Sequence, residues 1–200
     1  MDNLLAPSLR KSIEKNLGKS TLNKIEQRLM ERHGMGIAQA IKDFYKFDGV
    51  LREFFGAGAD GLETKFLHNI IDLKQQKKVT DNWITLKDQD LAKIFLESFA
   101  DEDKKVIIGT ILDRSLIIAD ILEQCKVPQT SGYRKINQLI DNGLLISNGY
   151  AIASDGKKIK KYVTIFDNVK MDIEKNVVVV KIQLKKGSFQ ESTILQVIPN

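Results

Sequence analysis

The part of the chain that begins at Asp101 constrains the fold most strongly, because its apolar residues change from helical to strand spacing. Asp101 is typical of an N-cap, and the spacing after it predicts a helix, then a short helix over 116–124 and a third helix over 129–141. Asn142-Gly143 is typical of a helix end, where glycine adopts the left-handed conformation. Two strands then flank a turn at 154–157, as in a β-hairpin. Helix, short helix, tight turn, helix and hairpin is the order of a winged helix-turn-helix.

The remaining segments are predicted from the same patterns. Helices are predicted over 8–33, 37–55, 60–76 and about 89–99, with a linker at 77–89. Gly18 is a position at which the first of these helices would be interrupted. A second hairpin is predicted around Lys175-Asn176. The expected fold class is therefore mainly α with a small antiparallel β wing, built from an N-terminal helical module and a C-terminal winged helix-turn-helix.

The change of pattern also predicts a division into domains. The expected units are a helical signalling or coupling module (1–76), a linker and connecting helix (77–100), a winged helix-turn-helix DNA-binding domain (101–187) and a C-terminal tail (188–200). Few contacts are expected to cross the polar segment Lys77–Asn82, because polar linkers usually separate domains. A fragment from about Leu86 to Asn200 is therefore expected to fold alone.

The helix predicted over 129–141 carries the candidate base-reading residues. Its apolar residues Ile136, Leu139 and Ile140 must face the interior, which leaves a hydrogen-bonding face outward. Arginine pairs with guanine, and glutamine or asparagine pairs with adenine, at base edges in the major groove. The predicted base contacts are Gln129, Thr130, Ser131, Arg134 and Asn137.

A basic stretch over 126–161 supplies the candidate phosphate contacts. It holds seven basic side chains and only two acidic ones, Asp141 and Asp155. Lysines at a hairpin tip act on phosphates as charge and carry little sequence information. The predicted phosphate contacts are Tyr133, Lys135, Lys157, Lys158, Lys160 and Lys161. Two other interpretations remain open: the lysine run is a solvated hairpin tip, and Tyr133 is a residue at the edge of the core.

The run from Ser115 to Leu145 resembles the ArsR-type winged helix of archaeal transcriptional regulators. The residues that carry the resemblance are Pro128, Ser131, Tyr133-Arg134 and Asn142-Gly143-Leu144-Leu145. The basic stretch Gly156–Tyr162 is similar to the wing of that family, and the resemblance covers roughly 101–185. It departs from metal-sensing members, because the lone Cys125 has no second thiolate or histidine cluster beside it.

A second resemblance covers about residues 5–75. The segments Ala40–Phe47 and Leu51–Glu63 resemble a small helical output-type module of archaeal signalling and regulatory proteins. This resemblance implies coupling to a signal or to a partner of the transcription machinery through residues 1–76.

Composition narrows the function classes further. One cysteine and two histidines, His33 and His68, argue against a disulfide framework, a metal centre and a catalytic triad. The net charge of +5 is compatible with nucleic acid, no segment is a membrane span, and the first residues lack the features of a signal peptide. The sequence thus predicts a cytoplasmic, non-enzymatic, sequence-specific regulator of transcription. It would bind double-stranded DNA, without a cofactor, as a homodimer. The alternative is an adaptor that uses the same unit to bind protein.

Overall fold

The computed structural model of the chain describes residues 1–72 and 83–196. The helices of the first range are α1 (Asp2–Leu17), α2 (Lys19–His33), α3 (Ile37–Ala40), α4 (Phe44–Phe55) and α5 (Ala59–His68). The helices of the second range are α6 (Gln89–Ala100), α7 (Glu102–Thr110), α8 (Ile118–Cys125), α9 (Gln129–Asp141), α10 (Lys186–Gln190) and α11 (Thr193–Gln196). None of the helices in these two ranges combines the length and the apolar character needed to cross a bilayer.

Strands in the described residues form two antiparallel sheets. The strands are β1 (Ile71–Asp72), β2 (Trp83–Leu86), β3 (Leu116–Ile117), β4 (Leu145–Ile152), β5 (Lys158–Thr164), β6 (Phe166–Glu174) and β7 (Val177–Leu184). The four-stranded sheet has the order β1-β2-β7-β6, and the three-stranded sheet has the order β3-β5-β4. The chain passes directly from β5 in one sheet to β6 in the other, so the two sheets are neighbours in sequence.

Local chemistry explains several element boundaries. Asp101 caps α7 by accepting a hydrogen bond from the backbone N–H of Lys104 at 3.0 Å, as the sequence predicts. Gly18, at φ 76°, separates α1 from α2 at the predicted interruption. Lys175 and Asn176 both have positive φ and form the two-residue turn between β6 and β7. These boundaries depend on single residues and are therefore visible in the sequence.

One continuous apolar core connects the helices of the first range to the elements of the second. α1 contributes Leu5 and Leu9, which are fully buried. Gly143, which follows α9, lies so close to the first turn of α1 that a Cβ there would stand 2.5 Å from the backbone nitrogen of Leu4. Asp2 accepts hydrogen bonds from the backbone N–H and the hydroxyl of Thr193 at 2.9 and 2.8 Å, which ties α1 to α11.

The predicted fold class, mainly α with a small antiparallel β wing, is wrong. A four-stranded sheet stands beside the three-stranded one, which makes the protein a mixture of helices and antiparallel sheets. The helix predicted over 60–76 ends at His68 and is followed by β1, and the predicted linker contains β2 at Trp83–Leu86. The part of that linker at 77–82 lies outside the described residues.

The contacts across the predicted domain boundary lead to a first prediction. A fragment from Leu86 to Asn200 lacks α1, β1 and most of β2, so the backbone edge of β7 and the core beneath α1 would be exposed. We expect this fragment to unfold without a cooperative transition in urea, whereas the full chain unfolds cooperatively. A sigmoidal unfolding curve for the fragment would show that its elements hold a core without α1.

Glu63 on α5 is a buried acid within the helical region. It is fully buried, and neither of its carboxylate oxygens accepts a hydrogen bond from the described residues. Burial and the neighbouring carboxylate of Asp48 raise the pKa of Glu63 to about 8. Glu63 is therefore protonated at neutral pH and is able to donate its proton to Asp48.

We expect Glu63→Gln to remove a pH dependence of stability. The pKa of Glu63 is about 8 in the folded chain, against 4.5 without the fold. Stability from this proton is complete below pH 4.5 and is lost as the pH rises toward 8. The wild-type free energy of unfolding should fall by at most ~1.4 kcal/mol per pH unit across that window. Urea denaturation between about pH 5.5 and 8.5 measures the slope.

Glu14→Gln is the control for this experiment, because Glu14 is exposed on α1. It should keep the wild-type slope, whereas Glu63→Gln should flatten it. Equal slopes for the wild type and both variants would show that Glu63 is ionised in the folded chain.

Candidate nucleic-acid interface

The helix-turn-helix is formed by α8, the turn 126–128 and α9. Lys126 ends α8 in the left-handed conformation at φ 53°, and Pro128 precedes the first residue of α9. The two helices approach closely at Gly132, where a Cβ would stand 2.3 Å from Cδ2 of Leu122 and 3.3 Å from Cγ1 of Val127. Since Leu122 is itself buried, the absence of a side chain at Gly132 sets the distance between the helices.

The outward face of α9 carries most of the predicted base contacts. Ile136 and Leu139 are buried, as predicted, and Ile140 is partly buried against the core. Away from this apolar stripe, Thr130, Arg134 and Asn137 are exposed and have no hydrogen-bond partner within residues 1–72 and 83–196. Gln129 is also exposed and has no partner in these ranges, but it stands two turns before Ile136 and lies at the N-terminal end of the apolar side. No other described residue forms a hydrogen bond with the side-chain donors and acceptors exposed there.

Ser131 and Tyr133, two further candidate residues of α9, differ in their exposure. Ser131 is partly buried, and its hydroxyl donates to the backbone carbonyl of Pro128 at 3.1 Å, so it stabilises the first turn of the helix. Tyr133 is 43% exposed and lies on the outward side next to Arg134. The structure therefore places Tyr133 with the candidate contact residues and gives Ser131 a role within the helix.

Lys135 is held by two carboxylates at the start of α7, those of the N-cap Asp101 and of Asp103. Its Nζ lies 2.7 Å from Asp101 and 2.8 Å from Asp103, and its side chain is only 14% exposed. These hydrogen bonds raise the pKa of Lys135 and lower that of Asp101. Lys135 connects α9 to α7, and we do not include it among the proposed phosphate contacts.

The hairpin of β4 and β5 distributes its lysines over two faces. Lys158 pairs with Ile152 and Lys160 with Tyr150, which places both lysines on one face of the sheet. Lys161 pairs with Ile117 of β3, points to the opposite face and is partly buried. Lys157 lies at the turn, where its ammonium is 2.8 Å from Asp155. The basic run is therefore not a single charged surface, because alternate strand residues face opposite ways.

Exposed apolar side chains at the hairpin tip were missed by the sequence reasoning. Tyr150 and Ile152 are 57% and 75% exposed and share a face with Lys158 and Lys160, and Ile159 is 40% exposed on the other face. Two short patterns could have revealed them: Tyr150 and Ile152 stand two residues apart before the turn, and Ile159 stands between Lys158 and Lys160 after it. The tip thus combines positive charge with apolar surface.

Searches with family models, among curated proteins and among solved structures found no match for this chain. The resemblance to an ArsR-type winged helix and the resemblance of residues 5–75 to an output-type module therefore stay predictions. Among the described residues there is no cluster of histidine, cysteine and acidic side chains that could hold a metal.

The close approach at Gly132 leads to a prediction about stability. Gly132→Ala places a methyl group against Leu122 and Val127 in a packed interface, and overpacking of this kind costs about 1–3 kcal/mol. Gly109→Ala is the matched control, since Gly109 lies in the exposed part of α7 with nothing within 4 Å of a new Cβ. It should be neutral or stabilising, because alanine favours helix. Urea denaturation measures both; equal effects would contradict the packing argument.

Proposed function

We propose that this protein is a regulator of transcription that binds double-stranded DNA in a sequence-specific manner. In this proposal α9 lies in the major groove, and the tip of the β4–β5 hairpin contacts the phosphate backbone. The observation that carries the proposal is the outward face of α9. This face holds exposed side chains with hydrogen-bonding capacity and no partner in the described residues.

The residues exposed on α9 favour DNA binding over the interpretation that they form an ordinary solvated surface. Arg134 presents a planar guanidinium suited to the O6 and N7 acceptors of guanine. Gln129 and Asn137 carry amides, which pair with both polar groups of the adenine edge in the major groove. Gln129 is the first residue of α9 and Arg134 also lies in its N-terminal half, the part of a recognition helix that usually reaches base edges. Asn137 lies about one turn further along the helix.

The hairpin supplies charge to the same proposal. Lys158 and Lys160 are exposed, neighbour each other on one face of the sheet, and form no ion pair within the described residues. A lysine that neutralises a phosphate releases a condensed counterion, so its contribution depends on the salt concentration. Arg134 is expected to determine sequence preference, and these lysines to add affinity for any sequence.

We expect Arg134→Ala to reduce discrimination. A preferred duplex is first selected from a random pool with the full chain. On that duplex the variant should lose about 1–3 kcal/mol of binding free energy, and discrimination should relax at one base position. Affinity for a scrambled duplex should change less. Asp141→Asn is the control, since Asp141 is exposed at the end of α9 and is not expected to reach a base.

The lysine variants should change a different quantity. Lys158→Ala and Lys160→Ala should weaken binding to every duplex alike, and the salt slope should fall by about 0.9 for every phosphate that a variant no longer neutralises. Lys175→Ala, at the tip of the β6–β7 hairpin, is the control and should leave the slope unchanged. Fluorescence anisotropy across a salt series measures both the affinity and its slope. No enriched duplex, together with a slope that the lysine variants leave untouched, would contradict the proposal.

The exposed apolar residues at the hairpin tip favour a second candidate, an adaptor that binds another protein. Ile152 at 75% exposure is unusual for a strand residue that only faces water. In an adaptor, Ile152→Ser should abolish partner capture while Lys158→Ala has little effect. In the DNA-binding protein, the lysine variants should have the larger effect on binding.

A further inference from the structure

β6 forms a long free edge of the four-stranded sheet. Within the part of the chain that the structure describes, β7 is the strand that pairs with β6, so the second edge of β6 has no partner strand. The other edge strand, β1, has only two residues, whereas β6 runs from Phe166 to Glu174. Long unprotected edges are rare, because their free N–H and C=O groups pair readily with another strand.

The turn at the end of β6 shows which backbone groups point away from β7. Glu174 and Val177 close a two-residue turn, and such a closing pair exchanges both of its hydrogen bonds. Counting back along β6 in steps of two, residues 172 and 170 also bond to β7. The N–H and C=O groups of Val169, Met171 and Ile173 consequently point to the free edge.

The side chains of β6 are complementary to themselves in one antiparallel register. If a twofold axis passes through Met171, Lys170 of each copy lies opposite Asp172 of the other, and Val169 lies opposite Ile173. An axis through Lys170 would place two lysines opposite each other, and an axis through Asp172 would place two aspartates opposite each other. The register centred on Met171 also joins the outward backbone groups, in about six hydrogen bonds.

The exposure of Ile173, near the end of β6, agrees with the same register. Ile173 is 77% exposed, although it lies on the face of the sheet that carries the buried residues Val180 and Ile182. In the register centred on Met171, the side chain of Val169 in the second copy covers Ile173. On the other face, the ammonium of Lys170 lies 4.7 Å from the centre of the Trp83 ring, which belongs to β2 on the far side of β7. To pair with Asp172 of the second copy, this side chain turns from the Trp83 ring to the free edge.

We propose that two copies of this chain associate by antiparallel pairing of β6, with the twofold axis at Met171, so that the two four-stranded sheets become one. The occupant of the free edge is a second copy, because the charges of this strand match those of the same strand reversed. The association does not require DNA, and the proposal does not depend on the proposed function.

Charge exchange at Lys170 and Asp172 tests the proposal on the full chain in the absence of DNA. Both side chains are exposed, so the variants should fold as the wild type does. Lys170→Asp opposes aspartates across the axis, and Asp172→Lys opposes lysines. Each variant should raise the dissociation constant of the dimer about tenfold or more. The double variant Lys170→Asp/Asp172→Lys should return to the wild-type value.

An equimolar mixture of the two single variants gives the most specific test of the register. In a mixed dimer each Asp faces a Lys, so the mixture should associate as strongly as the wild type while each variant alone does not. Sedimentation velocity at roughly 1–200 μM, a range that covers weak dimers, measures all of these species. A wild-type chain that stays monomeric throughout, or a dimer that both single variants leave unchanged, would overturn the proposal. Single variants that weaken the dimer without rescue in the mixture would overturn the register.

Met171→Pro provides a second, independent test. Proline removes the N–H that points to the free edge and leaves the bonds between β6 and β7 in place, since edge strands tolerate proline at such positions. The dimer should be lost while the circular dichroism spectrum of the monomer is kept. Met171→Ala is the control and should dimerise, and loss of the dimer in both variants would show that the side chain, and not the strand edge, makes the contact.

Discussion

The backbone contact between Gly143 and the first turn of α1 is the constraint on which the arrangement of the protein depends. A side chain at Gly143 would collide with the nitrogen and Cα of Leu4, and backbone atoms cannot move aside as a flexible side chain does. The end of α9 is thereby fixed to the start of α1, and Asp2 fixes α11 to the same place. The candidate interface is thus a part of one packed body. A displacement of α9 would therefore disturb the packing of the N-terminal helices.

The sequence predicts local elements well and long-range pairing poorly. α9 has the predicted bounds, the cap at Asp101 is confirmed, and Gly143 has the left-handed conformation expected after a helix. β1 and β2 were missed because their signals are weak: Ile70 and Ile71 continue a helical spacing, and Trp83 pairs with Gln183 from the far end of the chain. No local pattern marks a strand of four residues whose partner lies so distant, and the fold class was wrong for that reason.

The candidate interface was predicted in its helix and only partly in its hairpin. The outward face of α9 follows from helical periodicity, which needs only the position of the apolar stripe. The ion pairs of Lys135 could not be predicted, because its partners, Asp101 and Asp103, come close only when α7 packs on α9. The two faces of the lysine run, by contrast, follow from the alternation of a strand and could have been derived from the sequence. A single sequence does not show ion pairs that form only by tertiary packing. It does show which residues share a face of a helix or strand, because the backbone period sets those faces.

The position of Trp83 has a consequence for spectroscopy. It is the single tryptophan of the chain, and it lies in β2 next to β7 with the ammonium of Lys170 close to its ring. A cation near the indole changes its fluorescence, so emission reports the four-stranded sheet, whereas far-ultraviolet circular dichroism is dominated by the helices. One sample without any added label therefore carries two separate signals. Their coincidence or divergence during unfolding shows whether sheet and helices melt together.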